Sequence, residues 1–257
     1  MATRIHQTVH SEKRVRHGRR VVLDFRVKDD LVPGILLLPD AEGPVPGVLL
    51  LHGYSSRREH MADEVGKALL EHGVASLSVD LPLHGTRHDP LQLQAARNPL
   101  AVFSLWRQAR RECALAVKYL GARQEVDRAR LAVAGYSLGS FLAVLLAADE
   151  PELRAVVLAA GGDLPDGTPL AAVARTVADP LRAVRRLAPR PLLMVHGKND
   201  RTIKPAQAER LFAAAGEPKE IRWWSAGHVL PPEAIAYAAR WLADRLAEGQ
   251  ARRSAAG

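Results

Sequence analysis

The stretch "LAVAGYSLGSFLAVLL" (Leu131 to Leu146) carries a serine between two apolar runs, with Gly135 and Gly139 two residues to either side. A core strand gains nothing from Ser137, and an ordinary helix start needs no flanking glycines. A serine at a strand-to-helix junction can instead be raised into solvent on a sharp turn. That turn demands an unfavourable backbone at Ser137. Side chains at positions 135 and 139 would collide with the neighbouring strand and helix. Both glycines are then explained, and the pentapeptide reads as a nucleophile elbow, G-x-S-x-G. The competing reading is a helix N-cap serine with incidental glycines.

A serine hydroxyl attacks poorly until a base takes its proton. The natural base is a histidine oriented by a carboxylate. "PLLMVHGKNDRTI" places Asp200 in the loop after an apolar run, and "WWSAGHVLPP" places His228 between the last apolar run and the last helix. The chain order Ser137, Asp200, His228 is that of a serine triad on strand ends. Taken singly, Asp200 could be a turn residue and His228 a surface histidine. The three together, in order at three strand ends, point to acyl transfer. The N–H of Leu138 opens the helix after Ser137 and can donate to an oxyanion. A second donor is expected after "GVLLLHG", where the Tyr54 N–H leaves the turn. His52 is expected to hold that loop and not to move protons.

Elements that could hold these residues follow from periodicity. "VVLDFRV" alternates as a half-buried strand does, and "ILLLP" follows an expected turn at Pro33-Gly34. "GVLLLHG", "VASLSVDLP", "RLAVAGY", "LRAVVLAAG", "PLLMVHGKND" and "KEIRWWSAGH" read as further strands. Helical spacing marks Arg57 to Gly73, Pro99 to Ala122, Ser137 to Glu150, Lys204 to Gly216 and the stretch opened by Pro231-Pro232. Such alternation implies a mostly parallel sheet covered by helices on both faces. Ligands then bind beyond the carboxyl ends of the strands, where the unusual residues lie.

With 257 residues, 47% of them hydrophobic and 25% charged, the chain can bury one large core, and one α/β domain over 1–257 is expected. The lone Cys113 rules out an intrachain disulfide framework and suits a reducing, cytoplasmic setting. The first twenty residues are polar and lack the apolar stretch of a signal peptide. The net charge is +8, but the arginines are scattered and do not interleave with aromatics, so neither nucleic-acid nor membrane binding is expected. His6, His10 and His17 lack ligand spacing, and no metal or organic cofactor is expected. "AEGQARRSAAG" has few apolar anchors and is expected to fray. Nothing in the sequence sets an oligomeric state.

"HGY", "GYSLG", "HGKND" and "AGH", in this order, resemble the α/β-hydrolase superfamily, and most nearly the small dienelactone hydrolase-like and prolyl-oligopeptidase-like serine esterases. The resemblance covers about Val21 to Leu246. "DLPLHGTR" (Asp80 to Arg87) is similar to a stretch of many members, with Arg87 where serine is frequent. Dienelactone hydrolases proper carry cysteine in the elbow. The serine here argues against dienelactone as substrate, and Cys113 reads as a core residue. The resemblance implies the α/β-hydrolase fold and hydrolysis of carboxylic esters through an acyl-enzyme. A peptidase, an amidase or a thioesterase could use the same residues, and a catalytically dead ligand-binding protein is the alternative outside enzymes.

Two insertions could cap the site: Leu81 to Pro99, and Gly162 to Arg190, where Leu170, Val173, Val177, Leu181 and Val184 have helical spacing. The second is short for a lid. A short cap suits short to medium acyl chains, with an optimum expected at butyryl or hexanoyl. Tyr54, His84, Phe103 and Trp106 are the candidate pocket residues. Of Trp223 and Trp224, at most one should approach the site, because neighbouring strand residues face opposite ways.

Overall fold

The computed structural model describes residues 5–27, 30–87, 99–165, 175 and 178–254. Its centre is a nine-stranded sheet. Three strands form an antiparallel meander: β1 (His6–Val15), β2 (Gly18–Val27) and β3 (Asp30–Pro39). The other six are β4 (Val45–Leu51), β5 (Ala75–Val79), β6 (Val126–Tyr136), β7 (Leu153–Ala159), β8 (Leu192–Gly197) and β9 (Lys219–Trp224). They run parallel to one another, in the spatial order β1-β2-β3-β5-β4-β6-β7-β8-β9. The crossover between β4 and β5 leaves β4 beside β6. The C-terminal ends of β4 and β6 therefore meet at the middle of the sheet.

Alternation along β4 shows how the two faces are filled. Leu49 and Leu51 point into one apolar cluster, Val48 and Leu50 into the other. One face is covered by α1 (Arg58–Met61), a π turn (Ala62–Gly66), α2 (Lys67–Glu71) and α7 (Pro232–Ser254). The other carries α3 (Pro99–Gly121), α4 (Leu138–Asp149), α5 (Pro180–Val184) and α6 (Pro205–Ala214). Cys113 lies in this second core, where burial pushes its thiol pKa up. No helix among the described residues is long and apolar enough to cross a membrane.

Two expectations are corrected, and one strand lies where none was assigned. The polar N-terminal segment forms β1, turned onto β2 at Arg16-His17, with His17 in the left-handed region at φ 66°. Pro33-Gly34 is no turn but lies inside β3. The β3–β5 ladder begins at Gly34, so Pro33 has no N–H to supply on that side. The C-terminal stretch expected to fray is helical as far as Ser254. Most of the first possible cap (88–98) and part of the second (166–174 with 176–177) lie outside the described residues. Of the helical spacing read there, Leu181 and Val184 fall on α5.

Candidate active site

Ser137 follows β6 and precedes α4 with φ 50° and ψ −112°, a conformation that L-residues avoid. The surroundings hold it there. Its N–H donates to the Ala159 carbonyl of β7 at 2.9 Å. The Ser140 hydroxyl, one turn on, lies 2.7 Å from the carbonyl oxygens of both Gly135 and Ala159. A Cβ on Gly135 would meet the Gly139 oxygen at 2.1 Å, and a Cβ on Gly139 would meet the Leu51 oxygen at 2.0 Å. The two glycines thus let β6, α4 and β4 close on the turn.

Three strand ends then converge. His228 Nε2 is 3.0 Å from Ser137 Oγ, and His228 Nδ1 is 2.8 Å from Asp200 Oδ2. Asp200 is only 2% exposed. Its other oxygen accepts from the N–H groups of Thr202 (2.8 Å) and Ile203 (3.0 Å), which fixes the carboxylate. Because Asp200 Oδ2 accepts only, Nδ1 of His228 carries the proton and Nε2 is the lone pair facing Ser137. The turn Gly53-Tyr54 abuts the same spot: a Cβ on Gly53 would lie 3.4 Å from Ser137 Cβ. Leu138 is the first residue of α4. The structure therefore brings together all five residues singled out for chemistry.

The pocket candidates separate. Tyr54 (66% exposed) lines a groove of about 750 Å³ together with Ser137 and His228. His84 packs edge-on against Tyr54 at 5.4 Å and lines a neighbouring depression with Arg57. Phe103 and Trp106 line neither, and Trp106 packs half-buried on the α3 side of the sheet. Trp223 and Trp224 also stay away from the groove, stacking edge-on with His196 and Tyr237.

The pattern of the dienelactone hydrolase family matches residues 32–239. The chain belongs to the dienelactone hydrolase family. It is thus a hydrolase, with serine at the elbow position. An uncharacterized protein of Mycobacterium tuberculosis is 28% identical over 209 residues, covering 79% of this chain and 69% of that protein. Among solved structures, TT1662 from Thermus thermophilus superposes with TM-score 0.69 at 24% identity, over 84% of this chain and 94% of the other. Acetyl xylan esterase 1 from Thermoanaerobacterium gives 0.74 at 18%, over 95% and 89%. A cold-adapted esterase from an Arctic intertidal metagenomic library gives 0.71 at 19%, over 92% and 97%. At such identities the likeness is one of fold, the α/β-hydrolase fold.

Around the site of this family member, several supports were not singled out in the sequence. His196 is buried behind Asp200, 3.6 Å from Oδ2, and donates from Nε2 to the Ile203 carbonyl at 2.9 Å. Burial lowers its pKa, which keeps it neutral. Asp163 does not face His228. Burial opposes its charge, but hydrogen bonds from Arg175 (2.8 Å) and Arg210 (3.1 Å) prevail and hold its carboxyl below the usual range. Arg87, which departs from the family pattern, makes two hydrogen bonds to Glu112 of α3 and one to the Asp80 carbonyl.

His52 acts as expected. Its Nδ1 donates to the Gly53 carbonyl (2.8 Å), while Nε2 accepts from the Leu81 N–H (3.1 Å), so one neutral ring ties together the loops after β4 and β5. Burial lowers its pKa from 6.5 to about 4. Between these values the unfolded chain binds a proton that the folded one refuses, so stability falls as pH drops through this window. The loss is about 2 to 3 kcal/mol by about pH 4.5. Urea denaturation should show the stability advantage of wild type over His52→Gln shrinking by that amount between about pH 7.5 and about pH 4.5.

Tyr136 links the Ser137 turn to the His228 loop. It precedes Ser137, its hydroxyl donates to the main-chain carbonyl of His228, and its ring stands edge-on to the imidazole at 5.8 Å. Burial raises its pKa, so the hydroxyl remains a donor. One such bond contributes about 1 kcal/mol. Tyr136→Phe should lower kcat by up to about tenfold with KM unchanged and Tm shifted by only a few degrees. Wild-type kcat in that variant would show that the His228 loop needs no such tie.

Proposed function

We propose that this protein is a serine esterase cleaving carboxylic esters of short to medium acyl chain. One observation carries the reading. A buried, doubly anchored carboxylate fixes the tautomer of His228, whose free lone pair faces a serine held at positive φ. Ser137 Oγ attacks the ester carbonyl carbon as its proton passes to His228 Nε2. Asp200 stabilises the imidazolium. The N–H groups of Tyr54 and Leu138, on either side of Ser137, take the oxyanion. Collapse of the tetrahedral intermediate breaks the bond to the alcohol oxygen, which leaves with the proton from Nε2. Water then attacks the acyl-enzyme by the same steps and restores the serine. No metal or organic cofactor is needed for this chemistry. The chain acts as one domain.

A fluorophosphonate that labels wild type at Ser137 tests for a live nucleophile, and absence of labelling would favour a ligand-binding protein. A panel of nitrophenyl esters, with matched thioesters and anilides, tests the bond cleaved. The ester should have the highest kcat/KM, and an anilide or thioester above it would move the reading to an amidase or a thioesterase.

A further inference from the structure

The groove at Ser137 does not run toward α5. It lies on the opposite face of the sheet, between the helices α1–α2 and α7. Its floor is sheet and helix core: Ala134 on β6, Val157 on β7, Val195 on β8 and Leu242 on α7. The α7 wall presents Ile235 with Ala234, Ala236 and Ala238, and the three alanines are too short to fill the space toward Met61, Val65 and Ala68 opposite. The π turn Ala62–Gly66 lies in that opposite wall, and such turns re-aim the side chains they carry. At the mouth, Val229 is 82% exposed.

The chemistry of the lining selects the occupant. No charged side chain reaches the floor. Glu64, Lys67 and Glu71 stand exposed at the rim with mixed sign, and Lys67 is paired with Asp63 at 3.1 Å. The Tyr136 hydroxyl is spent on the His228 carbonyl. Ser56 and His60, also at the rim, bond each other at 3.0 Å, so along the floor an anion or a sugar would find no partner, whereas hydrocarbon would. The volume of about 750 Å³ falls within the range of ligand pockets, roughly 300–1,000 Å³. From Pro232 to Leu242 the α7 wall rises about 15 Å, a length within which an extended chain of about ten carbons fits.

We infer that this groove holds the acyl chain of the substrate, an unbranched apolar chain of about eight to ten carbons, with its carbonyl at Ser137. The inference rests on the esterase reading for the bond cleaved, but not for what the groove binds. It moves the expected optimum from butyryl or hexanoyl to octanoyl or decanoyl. Each methylene buried multiplies affinity by roughly fourfold, so a chain that fills the groove is favoured strongly over one that stops at its mouth.

The test narrows the groove from both walls, with Ala68→Phe on α2 and Ala236→Trp on the exposed side of α7. Circular dichroism and Tm establish which variants fold, and the exposed position keeps one available. Two readouts are taken. The first is the ratio of kcat/KM for decanoyl and butyryl nitrophenyl esters, expected above tenfold in wild type and lowered at least tenfold by either folded variant. The second is calorimetric binding of decanoate to Ser137→Ala protein, expected at least tenfold tighter than butanoate and weakened at least tenfold by the same substitutions. Decanoate binding that neither folded variant weakens overturns the inference, whatever turnover does. Decanoate binding that is weakened, in a protein that hydrolyses no ester, keeps the groove and removes the esterase reading instead.

Discussion

Ser137→Ala is expected to remove the proposed ester hydrolysis, with kcat falling on the order of 10⁵- to 10⁶-fold, while the protein keeps its fold. The substitution deletes only the hydroxyl that donates to His228 Nε2 at 3.0 Å. The main-chain bonds that hold the turn, from the Ser137 N–H to Ala159 and from the Ser140 hydroxyl, are untouched. Alanine tolerates the positive φ no worse than serine does, so stability should shift by less than about 1 kcal/mol. Oxyanion donors and substrate binding remain, and a residual rate over water persists. Active-site titration with a fluorophosphonate should fall to background in parallel with turnover. Turnover retained near the wild-type level would place the nucleophile elsewhere and refute the elbow.

The reactive residues were legible because each follows an apolar run in a chain of alternating strands and helices. A parallel sheet gathers the carboxyl ends of its strands on one edge. Ser137, Asp200 and His228 could therefore be placed together without knowledge of side-chain packing. The elbow glycines were legible for a related reason. Two small residues flanking one serine make sense only if backbone atoms approach, and the contacts at Gly135 and Gly139 are with backbone oxygens. His196 and Ser140 carried no such signal. A histidine inside a strand and a serine inside a helix look like ordinary core residues until their partners in other segments are known.

The groove was hidden for a different reason. Ala234 and Ala238 on α7 have the spacing of any core-facing stripe, and whether such a stripe is filled depends on where the opposite helix sits. That position follows from a π turn no periodicity announces. Attention went instead to large aromatics, and Phe103 and Trp106 belong to the other side of the sheet. β1 was missed because an edge strand needs backbone pairing and not burial. Seven of its residues from His6 to Arg14 are charged or strongly polar, and nearly all are exposed. The left-handed His17 before Gly18 was the available clue to its hairpin.

Asp200→Asn should cost on the order of 10³- to 10⁴-fold in kcat, although it changes one atom. The amide oxygen of asparagine can still accept from Thr202 and Ile203, as Asp200 Oδ1 does at 2.8 and 3.0 Å. Its amide nitrogen then replaces Oδ2 at 2.8 Å from His228 Nδ1. An NH₂ group donates, so Nδ1 must become the acceptor and the ring proton moves to Nε2. At Nε2 it points at Ser137 Oγ, and the imidazole can no longer take the serine proton. The loss is one of tautomer, with the geometry kept, and the buried charge that stabilises the imidazolium goes with it. His228→Ala removes the base outright and should fall in the same range or lower. Combined with Ser137→Ala, neither substitution should add much, because the three groups act as a unit. Nitrogen NMR of His228 should report Nδ1–H in wild type and Nε2–H in Asp200→Asn. A variant that hydrolyses esters at nearly the wild-type rate would mean that another carboxylate orients His228. Asp163, which follows β7, is committed to Arg175 and Arg210, so the effect should fall on Asp200 alone.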